Sequence, residues 1–110
     1  MPRVIIAITG ASGDIYGIWA SESLCAVGDF QTHNIITLSV FCNSLAEVDY
    51  EPDQIKALAD HLYNHKDIGA AISSGSFHTN GMLVAPCSIK TLSAIANCYN
   101  EELTARAADV

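Results

Sequence analysis

A chain of 110 residues is long enough for one small domain but too short for two. Half of its residues are hydrophobic and 15% are charged, which indicates a packed core rather than a disordered segment. The formal net charge of -7, from 5 basic and 12 acidic residues, argues against nucleic acid or an anionic membrane as the main partner.

Two features of the sequence, its cysteines and its amino terminus, bear on the cellular compartment that we expect. No two of the 4 cysteines have C-x-x-C spacing, so a zinc or thioredoxin-like site is disfavoured. Because we expect no secretion signal, we expect reduced thiols in the cytoplasm. Met-Pro-Arg leads directly into strand-like residues, so we expect no signal or transit peptide. The apolar run Val4–Ile8 is too short to cross a bilayer.

The first half of the chain predicts two strands and two helices. The β-branched run Val4–Ile8 is typical of a strand buried on both faces, and the glycine-rich turn after it leads into a helix over Ile15–Val27. A second strand is predicted over Thr32–Val40, followed by a short helix over Phe41–Val48.

The second half continues the alternation. Its predicted elements are a helix over Asp53–His61 opened by Pro52, a short helix over Ile68–Ile72 capped by Asp67, a strand over Met82–Cys87, a helix from the Ser88 cap to Asn97, and a helix from Glu101 or Glu102 onward. The alternation predicts a three-layer α/β/α Rossmann-like fold with a parallel sheet in one domain, 1–110. Because the last predicted helix has no cap, we expect the chain to be the first part of a larger domain.

The glycine turn "GASGDIYG" is a candidate phosphate site, because unpaired amides at a helix start favour an anion. Its glycines are spaced G-x-x-G-x-x-x-G rather than G-x-G-x-x-G, and the second strand ends in Thr37 and Ser39 without an acid. Both features disfavour NAD, and the two hydroxyls suit a phosphate or a flavin edge better than a ribose diol. A tight turn without a ligand is the alternative.

"CSIKT" after the third strand is a second candidate anion site on the same sheet edge, since Ser88, Lys90 and Thr91 open a helix. Ser74, Gly75 and Ser76 lie in a loop that suits an oxyanion or is simply polar. His61 and His65 share a helix-face spacing, but we expect no metal site there.

These motifs together resemble one family. "ITGASGDIYG", "ISSGSF", "GMLVAPCSIKTLSAIA" and "RAADV" are similar to the UbiX-type flavin prenyltransferases over the whole chain. The resemblance implies a Rossmann-like flavoprotein that binds FMN and attaches a dimethylallyl group from dimethylallyl phosphate to the flavin ring, without a metal. It also implies a homo-oligomer, dodecameric in the family, whose product serves a UbiD-type decarboxylase.

The resemblance also implies roles for individual residues. FMN-binding residues would be Gly10, Ala11, Ser12, Thr37, Ser88, Ile89, Lys90 and Thr91. Ser12, beside the flavin, and Glu47, near the prenyl site, would be the catalytic pair. The loop of Ser74, Gly75 and Ser76 would cover the prenyl site.

The sequence departs from the family pattern at several positions. Leu38 stands where the family usually has Lys, Asp14 adds a negative charge to the glycine turn, and Glu101-Glu102 makes a usually less acidic turn acidic. The family also continues past "RAADV", where it supplies further FMN and prenyl-phosphate residues. Three alternatives therefore stay open, namely an FMN-binding subunit without prenyl transfer, an NAD(P)-binding Rossmann domain, and a non-catalytic fragment.

Overall fold

The computed structural model describes residues 2–9, 14–36, 57, 59–64, 66, 69–74, 76–99 and 102–109. Its elements are β1 (Arg3–Ile8), α1 (Asp14–Val27), β2 (Gln31–Ile36), β3 (His61–Asn64), a 3-10 turn (Ala71–Ser73), β4 (Gly81–Val84), α2 (Ile89–Ala96) and α3 (Leu103–Asp109). Within the ranges given, no helix has the length and apolar character that a membrane crossing requires.

The described strands form one four-stranded sheet in the order β3-β2-β1-β4, and all of its pairings are parallel. Strand β1 is central, because Ile5 lies beside His33 of β2 on one side and Met82 of β4 on the other. The carboxyl ends of the strands therefore lie along one edge, where open parallel sheets bind their ligands. The predicted parallel sheet is confirmed.

Helices cover both faces of the sheet. On one face, Ile5 and Ile35 pack with Ile72 of the 3-10 turn and with Leu103 of α3. On the opposite face lies α1, whose Ser21 hydroxyl accepts a 3.0 Å hydrogen bond from Asn34 Nδ2 of β2. This gives the predicted three layers. Fully burying each of these large aliphatic side chains contributes about 1.5–3 kcal/mol.

The described structure tests one predicted strand in part and shows that another ends earlier than predicted. The second was predicted over Thr32–Val40, and β2 covers Gln31–Ile36, while residues 37–40 lie outside the described residues. The third was predicted over Met82–Cys87, but β4 ends at Val84. Pro86, two residues beyond Val84, has no N–H to donate to a strand ladder, which is consistent with the earlier end.

The predicted helix over Asp53–His61 is wrong at its carboxyl end. His61 is the first residue of β3, which pairs in parallel with β2, with His33 beside His61. The predicted helix Ile68–Ile72 is also wrong where it is described, because Ala71–Ser73 forms a 3-10 turn. The predicted helix Phe41–Val48 lies outside the described residues. The helices α1, α2 and α3 lie where the sequence predicts them.

Candidate functional site

Thr9 joins the carboxyl end of β1 to the loop that follows β4. Its hydroxyl donates a 2.7 Å hydrogen bond to the carbonyl of Pro86 and accepts a 2.8 Å hydrogen bond from the amide of Ser88. The Thr9 amide also donates to the Pro86 carbonyl at 3.3 Å. Thr9 is only 2% exposed. One buried side chain thus fixes the loop that leads into α2.

Ser88 is the N-cap of α2, as the sequence predicts. Its hydroxyl accepts the Thr91 amide at 3.1 Å and donates to the Thr91 hydroxyl at 2.9 Å, while its carbonyl accepts the Leu92 amide at 2.9 Å. Thr91 is 8% exposed, so this capping pair is largely shielded from solvent. The pair holds the first turn of α2 in a fixed position relative to Thr9.

The amides of Ile89 and Lys90 form the donor part of the site. Neither amide has a hydrogen-bond partner among the residues that the structure describes. The Ile89 side chain is 87% exposed, so this end of α2 faces outward. Free amides and the positive end of the helix dipole favour an anion at this position. The arrangement is therefore suited to a phosphate group.

Lys90 adds a positive charge to the same turn. Its ammonium lies 3.5 Å from Glu102 Oε1, and the two side chains are 85% and 36% exposed. The structure thus places the predicted anion-binding ammonium beside a carboxylate on the loop before α3. The predicted role of Lys90 toward a ligand remains a prediction.

Gly17 has a packing role rather than a role in the ligand spacing. A Cβ atom at this position would collide with the carbonyl oxygen of Ala85 and would lie 2.7 Å from Ile8 Cγ1. Only glycine lets the first turn of α1 approach the ends of β1 and β4 this closely. The last glycine of "GASGDIYG" therefore holds α1 against the site loop.

Six of the predicted site residues lie outside the described residues. They are Gly10, Ala11, Ser12, Thr37, Glu47 and Gly75. Their roles stay predictions. In the sequence, Gly10 follows Thr9 and Thr37 follows Ile36, the last described residue of β2.

Ser74 and Ser76 contact each other, and no described contact joins either of them to Ser88. Their hydroxyls lie 2.8 Å apart, in a turn closed by a 3.1 Å hydrogen bond from the Phe77 amide to the Ser74 carbonyl. The Phe77 ring lies 4.3 Å from the Arg3 guanidinium carbon, at the amino end of β1. Thr9 lies beyond the other end of this six-residue strand, about 20 Å away. The predicted covering role of this loop remains a prediction.

His33 and His61 stack on the sheet. His61 lies in β3 rather than on a helix, and His65, the other member of the predicted helix-face pair, lies outside the described residues. His33 is 2% exposed and its ring stacks on His61 at 4.6 Å and 11°. Its Nε2 lies 3.0 Å from Gln31 Oε1 and its Nδ1 lies 3.0 Å from the Tyr63 hydroxyl. Burial, and then the charges of His61 and Arg3, lower the pKa of His33. In the described part of the chain, no group of three or more potential ligands is placed to hold a metal.

Sequence reasoning missed the function of Thr9. Its hydroxyl partners, Pro86 and Ser88, lie 77 and 79 residues later, so no local pattern reveals them. The available signal was its position, since a hydroxyl residue directly after a buried strand lies at the ligand-binding edge of a parallel sheet.

Comparison with known proteins gives relatives over the full length of the chain. A family model described as Flavoprotein matches residues 1–110. The flavin prenyltransferase UbiX of Escherichia coli is 46% identical over 110 residues, which cover 100% of this chain and 58% of that protein. The flavin prenyltransferase LpdB of Lactiplantibacillus plantarum is 43% identical over 110 residues, and the chain covers 59% of it. The chain therefore spans somewhat more than half the length of these curated relatives.

Solved structures agree with the sequence relatives. A crystal structure of a UbiX protein in complex with FMN and dimethylallyl pyrophosphate matches with a TM-score of 0.92 and 39% identity, covering 98% of this chain and 57% of that one. A dodecameric, FMN-dependent UbiX-like decarboxylase from Escherichia coli matches with a TM-score of 0.92 and 38% identity, covering 97% of this chain and 58% of that one. The predicted Rossmann-like fold is confirmed.

Proposed function

The chain belongs to the Flavoprotein family and is related to the UbiX-type flavin prenyltransferases, and from this premise we propose that it binds FMN at the carboxyl edge of its sheet. The observation that carries the proposal is the buried connection from Thr9 to Ser88, which presents the first turn of α2 at this edge. Ligands of open parallel sheets bind at this edge.

The donors at the start of α2 fit the phosphate of FMN. The amides of Ile89 and Lys90 have no partner among the described residues, and a phosphate oxygen would accept from both. Because the Ser88 hydroxyl donates to Thr91 Oγ1, Thr91 keeps its own hydroxyl proton for a ligand. The Lys90 ammonium would add a charge-assisted contact.

The remaining flavin contacts are proposed from the family pattern. Gly10, Ala11 and Ser12 of the glycine turn would lie along the flavin ring, and Thr37 at the end of β2 would hold its edge. These positions follow β1 and β2, which are neighbours in the sheet. They would therefore share an edge with the phosphate donors of α2.

We further propose that the whole protein transfers a dimethylallyl group from dimethylallyl phosphate to FMN. When bound, reduced FMN supplies the ring that accepts the dimethylallyl group. The α2 donors would fix the ring in place through the phosphate, which lowers the entropic cost of bringing the reactants together. Ser12 and Glu47 would polarise the reacting groups or relay protons. The relative crystallised with FMN and dimethylallyl pyrophosphate supports this assignment.

The proposal includes partners and a location. The dodecameric relative supports a homo-oligomer, and the prenylated flavin would pass to a UbiD-type decarboxylase. Nucleic acid and membranes are not proposed partners, in keeping with the net charge of -7. A cytoplasmic location is also proposed, in keeping with the free thiols of Cys25, Cys87 and Cys98 in the described structure.

The first experiment is an absorbance spectrum of the purified chain with and without added FMN, together with its melting temperature. We expect a retained flavin band after desalting and a higher melting temperature with FMN. A colourless protein whose melting temperature does not change on addition of FMN would contradict the proposed flavin site. Incubation with reduced FMN and dimethylallyl phosphate then tests transfer, and an unchanged flavin spectrum would contradict the enzymatic part alone.

A further inference from the structure

The contact between Lys90 and Glu102 joins the candidate phosphate site to the segment before α3. Lys90 Nζ lies 3.5 Å from Glu102 Oε1 across a separation of 12 residues. Both residues line a small cleft between α2 and α3, which Thr91 and Thr104 also line. A carboxylate therefore holds the one ammonium that the first turn of α2 carries.

This ion pair is easily exchanged for another. The Lys90 side chain is 85% exposed and the Glu102 side chain is 36% exposed, so water screens their attraction. The separation of 3.5 Å is longer than a close charge-assisted hydrogen bond of 2.7–2.9 Å. A stronger anionic partner within reach of the lysine side chain would therefore displace the carboxylate at little cost.

A phosphate at the start of α2 would be such a partner. Lys90 is the second residue of α2, and its own amide is one of the two donors at that end that have no partner among the described residues. The ammonium and the amides thus belong to the same turn. One ammonium on a flexible stem cannot contact both anions at full strength, and the Glu102 charge would also repel a phosphate dianion nearby.

The low number of basic residues in the chain bears on this competition for Lys90. The chain has 5 lysines and arginines against 12 aspartates and glutamates, so cations are scarce around any bound anion. The pair Glu101-Glu102 also makes the turn before α3 acidic. A carboxylate that occupies Lys90 therefore engages the ammonium that the first turn of α2 offers to a phosphate.

We propose that Glu102 competes with the flavin phosphate for Lys90 and thereby lowers the affinity of this site for phosphate-bearing flavins. The inference rests on the proposed FMN site and names the residue that tunes it. Riboflavin has no phosphate, so its binding is not tuned by this carboxylate.

The test is a titration of the full chain with FMN and with riboflavin, followed by quenching of flavin fluorescence. Glu102→Gln keeps the size of the side chain and removes its charge. We expect this variant to bind FMN about two- to fivefold more tightly than the unaltered chain, within the range of exposed ion pairs, and to bind riboflavin unchanged. In a Lys90→Met background, Glu102→Gln should leave FMN binding unchanged, because the ammonium for which the carboxylate and the phosphate compete is absent.

Glu101→Gln is the matched control, since it removes the same charge from the neighbouring position. If Glu101→Gln tightens FMN binding as much as Glu102→Gln does, the effect is one of net charge and the inference is overturned. The same holds if Glu102→Gln still tightens FMN binding in the Lys90→Met background. Unchanged or weaker FMN binding by Glu102→Gln would overturn it while leaving the FMN site intact. If the unaltered chain shows no saturable FMN binding, the proposed FMN site is wrong, and the inference that rests on it is overturned as well.

Discussion

Replacing Thr9 with valine tests whether the buried connection at the sheet edge holds the site together. Thr9→Val keeps the volume and the β-branched shape of the side chain but removes its hydroxyl. The Ser88 amide then loses its 2.8 Å acceptor, and the Pro86 carbonyl keeps only the 3.3 Å bond from the amide of residue 9. The backbone ladder of β1 is unaffected, so the change is confined to the loop before α2.

The expected cost follows from what is left unpaired. A shielded amide without its acceptor costs about 1–3 kcal/mol in the free energy of unfolding. For a domain of this size, each kcal/mol lowers the melting temperature by about 4 °C, so a decrease of about 4–12 °C is expected. Because the Ser88 cap positions the amides of Ile89 and Lys90 that would bind the phosphate, FMN affinity should fall about tenfold, which is about 1.4 kcal/mol.

Thermal melts and FMN titrations of three variants complete the assay. Thr9→Ser should restore both the melting temperature and the FMN affinity, because it keeps the hydroxyl. Thr79→Val makes the same chemical change at an exposed residue and should alter neither. If Thr9→Val melts and binds like the unaltered chain, or if Thr9→Ser is as impaired as Thr9→Val, the connection does not organise the site.

Three further predictions concern packing, capping and pH. Gly17→Ala should destabilise the fold by about 2 kcal/mol or more, because its methyl group would strike the Ala85 carbonyl, whereas Gly81→Ala, with nothing within 4 Å, should change the urea midpoint little. Ser88→Ala should cost about 0.5–2 kcal/mol in urea unfolding and weaken FMN binding, whereas Ser23→Ala on the exposed side of α1 should do neither. Burial lowers the pKa of His33, so as the pH falls below the ordinary value of 6.5 the unfolded chain takes up this proton before the folded chain does. The free energy of unfolding should therefore decrease as the pH falls below about 6.5, and His33→Asn should flatten that decrease; an identical pH dependence in the two proteins would contradict the assignment.

Local sequence signals predicted the elements whose own residue pattern is distinctive. The β-branched run of β1 needs both faces buried, and a parallel sheet is the structure that provides this. Ser88 predicted the start of α2 because a hydroxyl before a helix caps its first amides, and the hydrogen bond to the Thr91 amide confirms that reason. The order of strands and helices then limited the fold to a parallel, layered one.

Long-range contacts account for what the sequence did not predict. Strand β3 has four residues and only one aliphatic side chain, Leu62, so its identity as a strand depends on pairing with β2 rather than on its own pattern. The preceding helical signal, including Ala57, extended the prediction over His61. In the sequence, Gly17 fits a ligand-binding glycine spacing as well as a packing role. The position of the Ala85 carbonyl shows that a glycine is needed there for packing.

The central claim is that the start of α2 holds the phosphate of FMN. Isothermal titration of the chain with FMN and with riboflavin tests this claim most directly, because the two ligands share the flavin ring and differ in the phosphate. We predict saturable FMN binding at least about tenfold tighter than riboflavin binding, with most of that difference lost in Ser88→Ala. Equal affinities for the two flavins, or a preference for FMN that survives Ser88→Ala, would contradict the account.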